Sequence, residues 1–154
     1  MSRTISRELA VQALFCADLL SEWDKSEVQK TLDYLILDRE LAEETYSRGL
    51  VDNICKHRAQ IDSVISESSN KWPLKRMGRV DRSILRVACY ELIFDSSIAH
   101  SIVINEAIEL ARSFGGEESA SFVNAVSDKI AKLNGHVTSE IPLVDSLTPR
   151  VVAA

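Results

Sequence analysis

No part of this 154-residue chain approaches the roughly 20 consecutive apolar residues that cross a bilayer. The opening MSRTISRELA also lacks the apolar centre of a secretory leader. The expectation is a cytoplasmic protein with no membrane partner. Glycine (5) and proline (3) are scarce, and no run alternates apolar with polar residues, which excludes a sheet-rich fold. His57, His100 and His136 have no zinc-ligand spacing with the cysteines. Cys16, Cys55 and Cys89 are widely spaced, each inside a helical pattern, and are expected as buried free thiols that pack as small hydrophobes. No phosphate-cradling loop exists, because Gly115-Gly116 is not followed by Lys-Ser/Thr. Glu117 and Glu118 are neighbours, about 100° apart on a helix, and do not make an acid–base pair. Glu106 and Glu109 share a face in the way exposed carboxylates commonly do. No catalytic residue, metal or cofactor is therefore expected. Bulk positive charge is also missing: the net charge of −5 argues against a protein that grips nucleic acid by charge alone.

What the chain does hold is helical periodicity. Its length and 45% hydrophobic content suffice for one domain with a core. A first helix, capped by Thr4 or Ser6, runs to about Leu20 on a stripe of Ile5, Leu9, Ala13, Cys16 and Leu20. Further helices are expected at 26–35, at 40–57 with Asp38 as cap, and at 60–68. In the helix at 40–57, Glu43, Glu44, Arg48 and Asp52 read as a solvent-facing side. A short helix at 73–77, then helices at 80–94, 102–114 (capped by Ser101) and 119–133 complete the pattern, with Gly115 as a left-handed C-cap. The fold class is all-α: six to seven helices in two small bundles, about 1–68 and 71–133, within a single domain 1–133, followed by a flexible tail at 134–154. Asn105 and Asn124 stand inside apolar patterns and are expected to cap or bridge helices. Of Arg82 and Arg86, one is expected to pair with Glu106 or Asp128.

Charge is unevenly spread. Residues 71–91 carry six Lys or Arg against two carboxylates, inside an otherwise acidic chain. This stretch is either a solvated helix face or a local phosphate-binding edge. Arg3 and Arg7, one turn apart, can join Lys71, Lys75 and Arg79 in such an edge. Trp72 is either a core residue joining the two bundles or a flat face for a base. Phe114 and Phe122 flank the glycine pair, and the backbone N–H groups near Ser119 suit a phosphate.

The order VDRSILRVACYEL, INEAIELARSFG, SFVNAVSDKIA resembles the NusB family of bacterial transcription antitermination factors. About sixty residues carry the match, with a weaker extension to SRELAVQALF near the N-terminus. The resemblance implies an all-helical, noncatalytic RNA-binding fold. It implies binding of boxA RNA together with NusE, a small ribosomal subunit protein, and action on the RNA polymerase elongation complex, notably in ribosomal RNA transcription. The family's arginine-rich N-terminal motif falls on Arg3 and Arg7, here interrupted by Thr4, Ile5 and Ser6. The segment FGGEESASF, with Phe114, Gly115, Glu118, Ser119 and Phe122, resembles its second RNA-facing element. Leu74, Arg76, Met77 and Asp81 resemble the surface that meets NusE. Two other readings stay open: a protein–protein scaffold or homodimer without RNA contact, and a detached NusB-like domain of a ribosomal RNA methyltransferase.

Overall fold

The computed structural model describes residues 2–41, 44–70 and 72–140, the last six through their backbone alone. The chain divides into two compact units, Met1–Lys56 and His57–Ala154. Among the described residues all regular structure is helical, and no helix is long and apolar enough to cross a membrane.

The first unit packs α1 (Arg3–Leu20), α2 (Lys25–Asp38) and α3 (Thr45–Lys56) each against the other two. Ser2 caps α1, its hydroxyl accepting the N–H of Ile5 at 3.4 Å, so the helix starts ahead of Thr4 and Ser6. Because two helices cover α1, its buried face is wider than the expected stripe and includes Ala10, Val11, Leu14 and Ala17, while Leu20 is exposed. Asp38 is the last residue of α2 and does not cap α3. The chain turns through Glu40, at φ 54°, and α3 begins five residues later than expected. Glu44 caps it: this carboxylate is only 4% exposed and accepts the N–H groups of Tyr46 (2.9 Å) and Ser47 (3.3 Å). The rest of the supposed solvent side is also engaged. Arg48 pairs with Asp33 at 2.6 Å, and the Gln29 amide donates to Asp52 at 2.8 Å. The reason is that α2 packs along that side of α3. Glu43 lies outside the described residues.

The second unit holds α4 (Arg58–Ser68), a single 3-10 turn (Leu74–Arg76), α5 (Arg79–Phe94) and α6 (His100–Glu140). Between α4 and α6, α5 is buried on more than one face, including Ile84, Leu85, Ala88, Cys89 and Leu92. The sequence places α4 with the first bundle; it packs instead on α5 and α6. Ile61, Val64 and Ile65 are buried there, and Asp62 takes a bidentate pair from Arg86, Nε to Oδ1 at 2.8 Å and a second N–H to Oδ2 at 3.1 Å. Arg86 therefore pairs with Asp62 across this packing. Burial, aided by the Asp62 charge, pushes the Cys89 thiol far above its ordinary range, so it stays protonated. Cys16 and Cys55 are half-buried, and none of the three cysteines is in a disulfide.

The joint in α6 is one residue wide. Gly116, at φ 81° and ψ −167°, is the only non-helical residue within the span, so the left-handed position is Gly116 and not Gly115. The helix starts at His100, where Ala99 accepts the N–H groups of Ile102 and Val103, two residues ahead of the Ser101 cap expected from sequence. It runs on to Glu140, so residues 134–140 of the expected tail are helical. Residues 141–154 of that tail lie outside the described residues. Asn105 and Asn124 are exposed and bridge nothing, because each lies on the outer side of α6.

Candidate nucleic-acid interface

The segment between α4 and α5 is built by side chains that serve its backbone. Ser69 donates its hydroxyl to the Trp72 carbonyl at 2.8 Å. Pro73 sets an extended residue ahead of the 3-10 turn. Arg82, on the first turns of α5, donates to the carbonyls of Leu74 (3.3 Å) and Met77 (3.2 Å), pinning both ends of that turn. Arg82 is thus a structural cation, which removes it from the free charge of the basic stretch.

This anchored segment forms one wall of a groove of about 430 Å³. Trp72, Arg76, Met77, Gly78 and Asp81 line one side; Gly115, Glu118, Ser119 and Phe122 of α6 line the other. Residues that the sequence assigned to RNA (Trp72, Gly115, Glu118, Ser119, Phe122) and to a protein partner (Arg76, Met77, Asp81) meet in a single concavity. Trp72 is 50% exposed, so it is not a core residue joining two bundles. Gly78 was missed from sequence; its signal was only its place before α5, where a Cβ would stand 3.9 Å from an Asp81 carboxylate oxygen.

Lys75 and Arg79 are exposed but do not line the groove, and neither do Leu74, half-buried, and Phe114, exposed on the last turn before the glycines. Lys71 lies outside the described residues. The groove holds one arginine and two carboxylates, so it is not the positively charged edge that the count over 71–91 suggested. Its walls offer aromatic faces, and Lys75 and Arg79 are the exposed sequence neighbours of the lining residues Arg76 and Gly78.

In the first unit, Arg3 and Arg7 both address Tyr46, their guanidinium carbons 4.4 Å and 5.9 Å from the ring centroid. Arg3 is exposed, whereas Arg7 is only 3% exposed. A buried guanidinium cannot meet a phosphate directly, so Arg7 acts as a support beneath Arg3 and Tyr46. Sequence reasoning did not single out Tyr46.

Asp81 is half-buried on the first turn of α5. Desolvation raises its pKa above the ordinary 3.8, partly offset by the hydroxyl of Ser119, which donates to the carboxylate. The consequence for stability has a definite sign. A carboxyl with a raised folded-state pKa favours the fold below its unfolded pKa and loses that contribution as pH rises through the folded value. At neutral pH the ionised group weakens the fold, so Asp81→Asn should be more stable than the wild type at pH 7. Urea unfolding at pH 7 and pH 4 checks this: the gap should narrow on acidification, and an equal or wider gap at pH 4 contradicts the assignment.

Among the described residues no group of three or more His, Cys, Asp or Glu could hold a metal ion. The family model described as NusB family matches residues 4–132. The transcription antitermination protein NusB of Geobacter sulfurreducens is 40% identical over 133 residues, covering 84% of this chain and 94% of that protein. That of Bacillus cereus is 42% identical over 133 residues, covering 84% and 97%. Of solved structures, T. maritima NusB superimposes with a TM-score of 0.79 at 33% identity, covering 92% of this chain and 99% of the other. A chain of the crystal structure of antitermination factors NusB and NusE in complex with dsRNA superimposes with a TM-score of 0.75 at 27% identity, covering 86% and 99%.

Proposed function

The chain belongs to the NusB family, and from that premise we propose that it is a noncatalytic antitermination factor that binds RNA jointly with NusE. The observation that carries the RNA half is the groove between Trp72 and Phe122, concave and walled by aromatic side chains. Unstacked bases of a single strand lie on such faces regardless of backbone charge. Phosphates go to Arg76, Lys75 and Arg79 around the groove and to Arg3 on the first unit. Leu74, Met77 and Asp81 contribute to the surface for NusE, with Asp81 as an acceptor for a cationic side chain. The RNA is a boxA-type single strand, and the assembly acts on RNA polymerase during ribosomal RNA transcription. The related complex described above contains double-stranded RNA, so the strand form is part of the test.

Fluorescence anisotropy with boxA RNA, a scrambled strand and a duplex of the same sequence, with and without NusE and at two salt concentrations, tests the reading. The expected result is preference for single-stranded boxA that tightens with NusE. Trp72→Ala should weaken binding by about 1–3 kcal/mol, the range for one stacked base, with the salt dependence unchanged. Arg76→Gln should instead lower the salt slope by about one unit. Equal affinity for all three RNAs with NusE present would leave the scaffold reading in place.

A further inference from the structure

A second cleft, of about 550 Å³, lies within the first unit, and none of the residues assigned above to RNA or to NusE lines it. Trp23, in the connection between α1 and α2, lines it together with Lys25, the first residue of α2. The remaining wall is α3: Gly49, Asp52, Asn53 and Lys56, spaced at i, i+3, i+4 and i+7, together with Cys55.

Two independent features mark it as built to hold something. Lys25 and Lys56 are exposed and have no ion-pair partner among the described residues, although residues 22–70 carry eleven carboxylates. Asp52 and Asn53 line the cleft between them: Asp52 accepts from Gln29 at 2.8 Å through one carboxylate oxygen, and the Asn53 amide donates to the Gly49 carbonyl at 2.9 Å. Then there is Gly49 itself. Glycine is the poorest helix former after proline, and here no neighbour requires it, since a Cβ would meet no atom within 4 Å. Its missing side chain keeps the cleft open.

We infer that this cleft binds a nucleotide, the base against Trp23 and the phosphate between Lys25 and Lys56. A flat ring beside two unpaired ammonium groups is the complement of a base joined to a phosphate. The nucleotide is either a free mononucleotide or one unit of an RNA strand. The inference holds whether or not RNA occupies the Trp72 groove, because the two tryptophans report on the two sites separately.

Proton–nitrogen correlation spectra of the full chain, with the Trp23 indole signal identified by its persistence in Trp72→Phe, give the test. Titration with AMP should move that signal saturably if the source is a free nucleotide. A shift with a short oligoadenylate but not with AMP assigns the source to RNA. Lys25→Gln and Lys56→Gln should each weaken the response roughly tenfold, as expected for one charge-assisted hydrogen bond. Gly49→Leu, which fills the cleft and leaves both lysines, should abolish it while unfolding at no lower temperature than the wild type. A Trp23 signal unmoved by AMP and by oligoadenylate overturns the inference. So does a response to inorganic phosphate equal to that with AMP, or an undiminished response in the lysine variants.

Discussion

Arg86→Met should lower the free energy of unfolding by about 3 kcal/mol, a drop in Tm of roughly 6–12 °C for a chain of this size. The Arg86 side chain is 4% exposed and that of Asp62 is 18% exposed, and the two form a bidentate pair between α5 and α4. Removing the guanidinium strands a carboxylate in a largely apolar seam beside Ile61 and Cys89. The loss comes mainly from that stranded charge, because a buried pair as a whole is close to neutral against an apolar replacement. Arg86→Met combined with Asp62→Leu should therefore recover most of the loss, and a double-mutant cycle in urea isolates the coupling. A single-variant loss below about 1 kcal/mol, or no recovery in the double variant, would show that the pair does not hold α4 on α5.

Gly116→Ala should cost about 1–3 kcal/mol, for a reason opposite in kind. A Cβ at Gly116 has open space around it, so nothing clashes. The loss is that of the backbone alone, since φ 81° with ψ −167° is a region that only glycine occupies readily. The neighbouring Gly115→Ala meets a different obstacle, the side chain of Ser119, whose Cβ would lie 2.8 Å from the new atom. Both changes also act on function. The break at Gly116 aims the Glu118, Ser119 and Phe122 side of α6 into the groove. RNA affinity at a temperature where the variant is folded should therefore fall for Gly116→Ala, and should not fall for an equally destabilising change far from the groove, such as Val28→Ala. Unchanged stability in Gly116→Ala would mean that the helix passes this point without the break.

Much of the site was legible because it lies in one short span. Trp72, Arg76, Met77, Asp81 and the glycine-flanking residues were named from local pattern and family resemblance, and the packing of α5 on α6 brings the two segments together. What misled was counting charge along the chain. Arg82 and Arg86 add to the basic count of 71–91, yet one is spent on backbone carbonyls and the other on Asp62. Arg7 matches an arginine motif, yet is buried beside Tyr46. The same limitation hid Glu44, which reads as a surface charge and is in fact the buried cap of α3.

By itself the sequence determined the all-helical class, the approximate span of most helices, a break at the Gly115-Gly116 pair and the family. Those follow from residue spacing and backbone preference, which act within a few turns of chain. Only the tertiary structure decided which bundle α4 joins, which arginines remain available to a ligand, and that the groove is aromatic and not cationic. Those outcomes depend on which side chains burial brings together. A charge in water and the same charge between packed helices differ by several kcal/mol, a difference that sequence position does not record.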